Sequence, residues 1–325
     1  MRVNGALTLA EGHALSAEEV RSLLLPLLTA AQYEELQKRR SVDFGFMQEG
    51  IGRFRANIHY QRGTIAASIR LLPLRLPSLE SLNLQPSLAR LTERRQGLVL
   101  VTGPTGCGKS STLAALIDLI NGGRRDHIVT IEDPIEYQHV NRRSVVEQIE
   151  VGRDTPDFAG SVRSVLRQSP DVVLVGEMRD PETIATVLTA AETGHLVFST
   201  LHTNDTSQTV SRILDSFPAA NQPQMRLQLS LALAAIIAQQ LVPAVDGRSR
   251  YPALEIMIGT DAIKNLIRRS QDHQLRSQVA MGRSEGMFTM EQSLADLVRA
   301  GRINREMAFA HCFRTDELTR YLEER

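Results

Sequence analysis

The chain has 325 residues, enough for two domains with a real core, and its 37 Lys plus Arg balance 37 Asp plus Glu. That balance offers no global basic field for nucleic acid or a membrane surface. No apolar run approaches the roughly 18 residues that a bilayer span needs, and the N-terminus lacks the basic-then-apolar order of a secretory signal. The only cysteines are Cys107 and Cys312. A soluble, cytoplasmic protein of a reducing compartment is therefore expected, with no transmembrane segment and no nucleic-acid partner.

In chain order, Ser16-Ala17-Glu18-Glu19 has the capping pattern that opens a helix, and leucines at helical spacing continue to Arg40. Residues 42–72 turn strand-like and are punctuated by glycine. Prolines at 73, 77 and 86 then mark a linker. The pattern predicts a small α+β domain at 1–75, a Pro-rich hinge at 76–87 and a second domain at 88–325. Apolar runs at 98–101, 128–131, 172–175 and 196–199 alternate with helical segments, which predicts an α/β fold with a parallel sheet covered on both faces. From Gln222 onward mostly helix is expected, at 227–241, 261–268 and 290–300.

The most specific signal is Gly103-Pro104-Thr105-Gly106-Cys107-Gly108-Lys109-Ser110, a complete phosphate-binding loop. A buried strand at 97–102 precedes it, and Ser111-Thr112-Leu113 continues it with helical spacing. The glycines let backbone N–H groups curl round phosphates at the positive end of the helix dipole. Lys109 can then reach the terminal phosphates, and the Ser110 hydroxyl can ligate Mg²⁺. ATP with Mg²⁺ is the expected ligand, held by residues 104–111.

Three constellations downstream supply chemistry. Glu177 ends the run Asp171-Val172-Val173-Leu174-Val175-Gly176-Glu177, where open parallel sheets place their ligands, and is expected to meet Mg²⁺ through water or to polarise the attacking water. Glu132-Asp133-Pro134-Ile135-Glu136 gathers three carboxylates at another strand end. Glu136 is favoured there as water activator with Glu132 in support, although the sequence leaves the two unranked. In Thr193-Gly194-His195-Leu196-Val197-Phe198-Ser199-Thr200-Leu201-His202-Thr203-Asn204, His195 and His202 bracket a strand and are both candidate catalytic groups sensing the γ-phosphate, with His202 near the strand's carboxyl end, toward the nucleotide. Arg53, Arg55, Arg62 and Arg70 recur in the small domain, either as forks for phosphate or as a solvated face.

Taken together, the acidic box at 132–136, the segment Asp171 to Asp180 (DVVLVGEMRD) and the histidine box at 193–204 resemble those of the type II/IV secretion ATPase superfamily. Ala262-Ile263-Lys264-Asn265-Leu266-Ile267-Arg268-Arg269 is similar to the C-terminal signature of its type IV pilus retraction (PilT-like) group. Extension and secretion motors usually carry a four-cysteine zinc insert, which this chain does not have. The resemblance implies a RecA-like ATPase domain behind a small PAS-like α+β domain, assembled as a homo-hexamer. In such a ring Arg55 and Arg70 reach nucleotide across the subunit cleft, and turnover drives pilus retraction against an inner-membrane platform protein. The chain starts at Arg2-Val3-Asn4-Gly5, part-way into the family's first domain, which is therefore expected to lack its opening strand and helix. Cys107 stands where the family usually has Ser, and Lys264 and Arg269 where it usually has Arg and Glu. The other readings are a nucleotide-binding regulator of the pilus machine with weak hydrolysis, or a related extension or secretion motor. A nucleic-acid translocase is disfavoured by the balanced charge and 4% aromatic content.

Overall fold

The computed structural model describes residues 2–3, 6–9, 12–73 and 75–323, in two units, Met1–Arg75 and Leu76–Arg325. Of the chain's start, Met1, Asn4 and Gly5 lie outside the described residues. In the first unit a two-residue antiparallel pair, β1 (Arg2–Val3) and β2 (Ala6–Leu7), precedes α1 (Ala17–Leu24) and α2 (Ala30–Arg39). Both helices begin with a reciprocal capping box. The Ser16 N–H donates to Glu19 Oε2 at 2.7 Å while the Glu19 N–H donates to Ser16 Oγ; Thr29 and Gln32 repeat the exchange. Strands β3 (Ser41–Gln48), β4 (Gly52–Gln61) and β5 (Thr64–Leu71) then form an antiparallel sheet in that order. Period-two alternation sends Val42, Phe44, Ala56, Ile58 and Ile65 to one face, where they bury Leu24 and Leu36 of the helices.

The second unit opens with residues 76–87, expected as a hinge. Here Leu79 and Leu84 are buried with Leu88 and Leu91 in the unit's own core, so this stretch is anchored to the second unit. The elements that follow are β6 (Gly97–Thr102), α3 (Lys109–Gly123), β7 (His127–Glu132), β8 (Val145–Glu150), α4 (Phe158–Val165), β9 (Val172–Val175), α5 (Pro181–Glu192), β10 (Leu196–Leu201) and α6 (Thr206–Asp215). After them come α7 (Gln222–Ala232), β11 (Leu233–Pro243), β12 (Arg250–Ile258), α8 (Asp261–Arg268), α9 (Leu275–Met281), α10 (Met290–Arg299), α11 (Arg305–His311) and α12 (Thr315–Glu323). No helix among the described residues is long and apolar enough to cross a membrane.

Seven strands make one sheet in the order β12-β11-β6-β10-β9-β7-β8, parallel except for β12, which runs antiparallel to β11. The sheet is thus mixed rather than wholly parallel. Alternate residues feed two cores: Leu98, Leu100, Val129 and Val197 on one face, Val99, Val101, Ile128 and Phe198 on the other. The helix expected at 227–241 ends at Ala232, where the chain switches directly into β11 beside β6. β11 is buried on both faces over Leu233–Ala238, so its sequence shows no alternation that would mark a strand. β8 and β12 were likewise not expected.

At the far end, Arg276 on α9 joins Glu291 of α10 (2.6 Å), Glu317 of α12 (2.7 Å) and Glu255 of β12 (3.4 Å). Glu255 also accepts from the N–H and hydroxyl of Thr206, the first residue of α6. One guanidinium therefore fastens the C-terminal helices to the sheet. Burial on this scale requires that each charge keep its partners.

Candidate functional site

The parallel strands end level with one another. Thr102 of β6 is in register with Leu201 of β10 and Ala238 of β11, and Val175 of β9 with Ser199 of β10 and Ile131 of β7. The loops that leave these ends form a single rim, as in other open α/β sheets. From β6 the chain enters the phosphate loop, whose Gly103, Gly106 and Gly108 have φ of 139°, 82° and 92°. A Cβ at Gly103 would stand 2.2 Å from the Gln239 carbonyl oxygen, so only glycine lets the loop pass β11 there. Pro104, Thr105 and Gly106 are exposed, Cys107 is buried, and Gly108, Lys109, Ser110 and Ser111 are part-exposed as α3 begins.

Lys109 Nζ folds back and donates to the carbonyls of Gly103 (2.8 Å) and Pro104 (3.2 Å). Burial presses its ammonium below the usual range, while Cys107, Glu177 and Glu136 push the other way. Both of the expected carboxylates are thus within electrostatic reach of the lysine. Ser111 Oγ meets the Tyr137 hydroxyl at 2.7 Å, joining α3 to the acidic loop after β7.

In that loop, burial pushes the Glu132 carboxyl up to about 7, against hydrogen bonds from Thr130 Oγ1 (2.8 Å), Gln148 Nε2 (3.3 Å) and the Glu136 N–H. The neighbouring Glu136 charge raises it further. The loop's course is held by Glu150 of β8, which accepts from the Ile135 N–H at 3.1 Å. A cavity of about 70 Å³ opens between Lys109, Ser110, Thr130, Glu132, Gly176 and Thr200.

Glu177 follows β9, largely covered. Arg179 Nε donates to its Oε2 at 2.6 Å, and His202 Nε2 lies 3.6 Å from the same oxygen. Two hydroxyls pin this corner: Ser199 donates to the Val175 carbonyl (2.7 Å) and Thr200 to that of Gly176 (2.6 Å).

Thus Lys109, Ser110, Glu132, Glu136, Glu177 and His202 share the rim. His195 does not. It precedes β10, where its carbonyl accepts from the Gly97 N–H (3.0 Å) and its Nδ1 meets the Ala190 carbonyl (3.0 Å). The whole length of β10, roughly 20 Å at the rise of a strand, separates it from His202. The structure thus places His195, expected beside His202 in the site, at the opposite end of the strand from this rim.

In the first unit, Arg55 and Arg70 are cross-strand partners in β4 and β5, with like charges directly opposite on the face away from α1 and α2. Arg53 is buried on the same strand. Arg62 sits in the β4–β5 turn, φ 46°, at the opposite end of the hairpin, so the four arginines are not one cluster.

Gln239 is the rim residue that sequence reasoning missed. It is 3% exposed, accepts from Thr112 Oγ1 (2.8 Å) and donates from Nε2 to the Cys107 carbonyl (2.6 Å). The signal was available: Gln239-Gln240 interrupts an otherwise apolar stretch. Tyr137, Gln148 and Arg179 were also passed over: the first two lie outside the quoted motifs, and Arg179 stands inside the 171–180 segment without having been given a role.

Residues 64–311 match the family described as "Type II/IV secretion system protein". The chain is 45% identical to the "Twitching motility protein" of Neisseria gonorrhoeae over 95% of this chain and 82% of that protein. It is 43% identical to the "Type IV pilus retractation ATPase PilT" of Pseudomonas aeruginosa, over 95% of this chain and 89% of that one. A crystal structure of the pilus retraction motor PilT with bound ADP superposes with a TM-score of 0.90 at 44% identity, covering 98% of this chain and 91% of that chain. The phosphate loop, the acidic box and the histidine box thus stand in a fold shared over nearly the whole chain, and the protein belongs to the type II/IV secretion system protein family, in its PilT-like group.

Proposed function

We propose that this chain is an ATP-hydrolysing motor subunit that powers retraction of type IV pili, working as a homo-hexamer on the cytoplasmic side of the inner membrane against a platform protein. The observation that carries the reading is the Lys109 ammonium. It is held at the head of α3 by two loop carbonyls, with Glu136 and Glu177 close enough to act on its charge. A nucleotide's terminal phosphates can replace those carbonyls without moving the helix.

The chain's own groups then divide the work. Loop amides and Lys109 hold and neutralise the phosphates. Ser110 and Glu177 offer hard oxygen donors for Mg²⁺, which when bound would spread the phosphate charge. Among the described residues no group of three or more His, Cys, Asp or Glu could hold a metal, which suits an ion shared with substrate phosphates. Glu136 takes the proton of the attacking water, Glu132 supports it from the buried side, and His202 beside Glu177 senses the γ-phosphate. The paired guanidiniums of Arg55 and Arg70 repel each other until an anion lies between them, as a nucleotide held by a neighbouring subunit would.

The test is steady-state ATP hydrolysis by the purified chain, with light scattering on the eluting peak and Lys109→Ala as control. Turnover that follows a hexamer peak and falls at least about 100-fold in the control is expected. Equal turnover in the control would sink the reading.

A further inference from the structure

We infer that Gln239 is a positioning residue for nucleotide binding: from β11, it sets the shape of the phosphate loop and the pitch of the first turn of α3. This rests on the nucleotide-binding reading of the loop above. A carbonyl oxygen can only accept, so the amide nitrogen must face Cys107 and the amide oxygen must face Thr112; the side chain has one workable orientation. Its two ends therefore touch the two parts whose relative placement defines the phosphate cradle. Cys107 lies in the middle of the loop, and Thr112 is in the opening turn of the helix whose N–H groups would meet the anion.

The backbone adds a second contact. The Gln239 carbonyl approaches Gly103 so closely that a Cβ there would lie 2.2 Å away, and a Cβ on Gly108 would lie 3.0 Å from Gln239 Nε2. The backbone at 239 thus demands glycine at 103, its side-chain amide crowds position 108, and both glycines also have positive φ. A buried amide is costly unless both its ends are bonded. An apolar residue would suit the rest of this strand, which is Leu, Ala and Ile from Leu233 to Ala238. Polarity at 239 is explained by the loop carbonyl of Cys107 and the α3 hydroxyl of Thr112, both bonded by its amide.

A loop held in place from outside loses less freedom when phosphate arrives, so the tie favours binding and leaves the chemical step alone. The experiment is calorimetric titration of ADP into wild type, Gln239→Met, Thr112→Val and Lys109→Ala, with thermal melts and saturating-ATP turnover on the same samples. Gln239→Met keeps length and volume but removes both polar ends. It should weaken ADP about tenfold while turnover at saturation stays within about threefold of wild type. ADP affinity within about twofold of wild type would overturn the inference, as would loss of saturated turnover as large as the loss of affinity. If Gln239→Met does not fold, Thr112→Val decides, with about threefold weaker ADP expected and unchanged affinity overturning. Wild type that binds no ADP ends the nucleotide reading and this inference together. Wild type that binds, beside a Gln239→Met that binds equally well, ends this inference alone.

Discussion

At the amino rim of the seven-stranded sheet, Asp171 accepts from the His127 N–H at 2.8 Å, Arg124 pairs with Asp126 at 2.5 Å, and His195 meets the Ala190 carbonyl. At the carboxyl rim, Glu132 is buried beside another carboxylate until its proton is held to about 7, and Lys109 is buried with its ammonium pressed down. The residue types are alike: acids, bases and histidines flanking the same strands. On the first rim the acids meet donors of the chain itself, although Arg124 Nε and His127 Nε2 are buried without a hydrogen-bond partner. On the second it leaves strained charge of both signs, which a phosphate and a cation would relieve. In the proposed mechanism, position at a strand's carboxyl end, more than residue type, separates a working group from a structural one.

The largest expected effect separates the rims at the level of chemistry. Glu177→Gln should lower kcat by at least about 100-fold while ADP still binds, if the carboxylate acts as proposed on the reacting water or its metal. Asp171→Asn removes a carboxylate of the same β9 segment, at its other end. It should leave turnover within about twofold and cost about 1 kcal/mol of stability from its weakened bond to His127. Equal losses of turnover in both variants would erase the distinction between the rims.

A smaller effect tests the same distinction within one strand. His202→Ala should lower turnover about tenfold through its contact with Glu177 and the phosphate it would sense. His195→Ala should cost about 1 kcal/mol in thermal melts and nothing in turnover. A turnover defect in His195→Ala as large as that in His202→Ala would restore both histidines to the site.

Most of the carboxyl rim was legible because its chemistry demands fixed spacing. Glycine at 103, 106 and 108, then Lys109 and Ser110, cannot be rearranged and still wrap a phosphate, and the strands ending at Val175 and Leu201 are short β-branched or aromatic runs between clear breaks. The half of the sheet beyond α7 was not. Leu233-Ala234-Ala235-Ile236-Ile237-Ala238 follows helix without a glycine or proline, contains three alanines and is buried on both faces, so composition and periodicity both point to helix. Pairing with β6 overrides that local preference, and no window of sequence contains β6 and β11 together. Gln239 was lost with the strand that carries it. The placement of His195 has another origin: six residues of strand lie between a motif's first histidine and its last, and extended chain carries the two to opposite edges.

The smallest expected effect concerns the carboxyl rim without its ligand. The Glu132 carboxyl titrates near 4.5 when exposed and at about 7 in the fold. A raised pKa means that the folded state binds the proton more tightly, so its stabilising effect is complete below about 4.5 and is lost as pH rises through 7. Glu132→Gln keeps an oxygen to accept from Thr130 and Gln148 and carries no charge to desolvate. In nucleotide-free protein the variant should therefore match wild type near pH 4.5 to 5. It should become the more stable of the two toward pH 8, by a few kcal/mol at most, on the order of 1.4 kcal/mol for each tenfold difference in proton affinity between the folded and unfolded chain. Melting both proteins across that range reads the difference directly. A gap that stays flat with pH would mean that Glu132 is charged throughout and that a nearby cation already satisfies it. The carboxyl rim would then hold its acid against an opposite charge before any ligand arrives, as Asp126 is held by Arg124 at the amino rim.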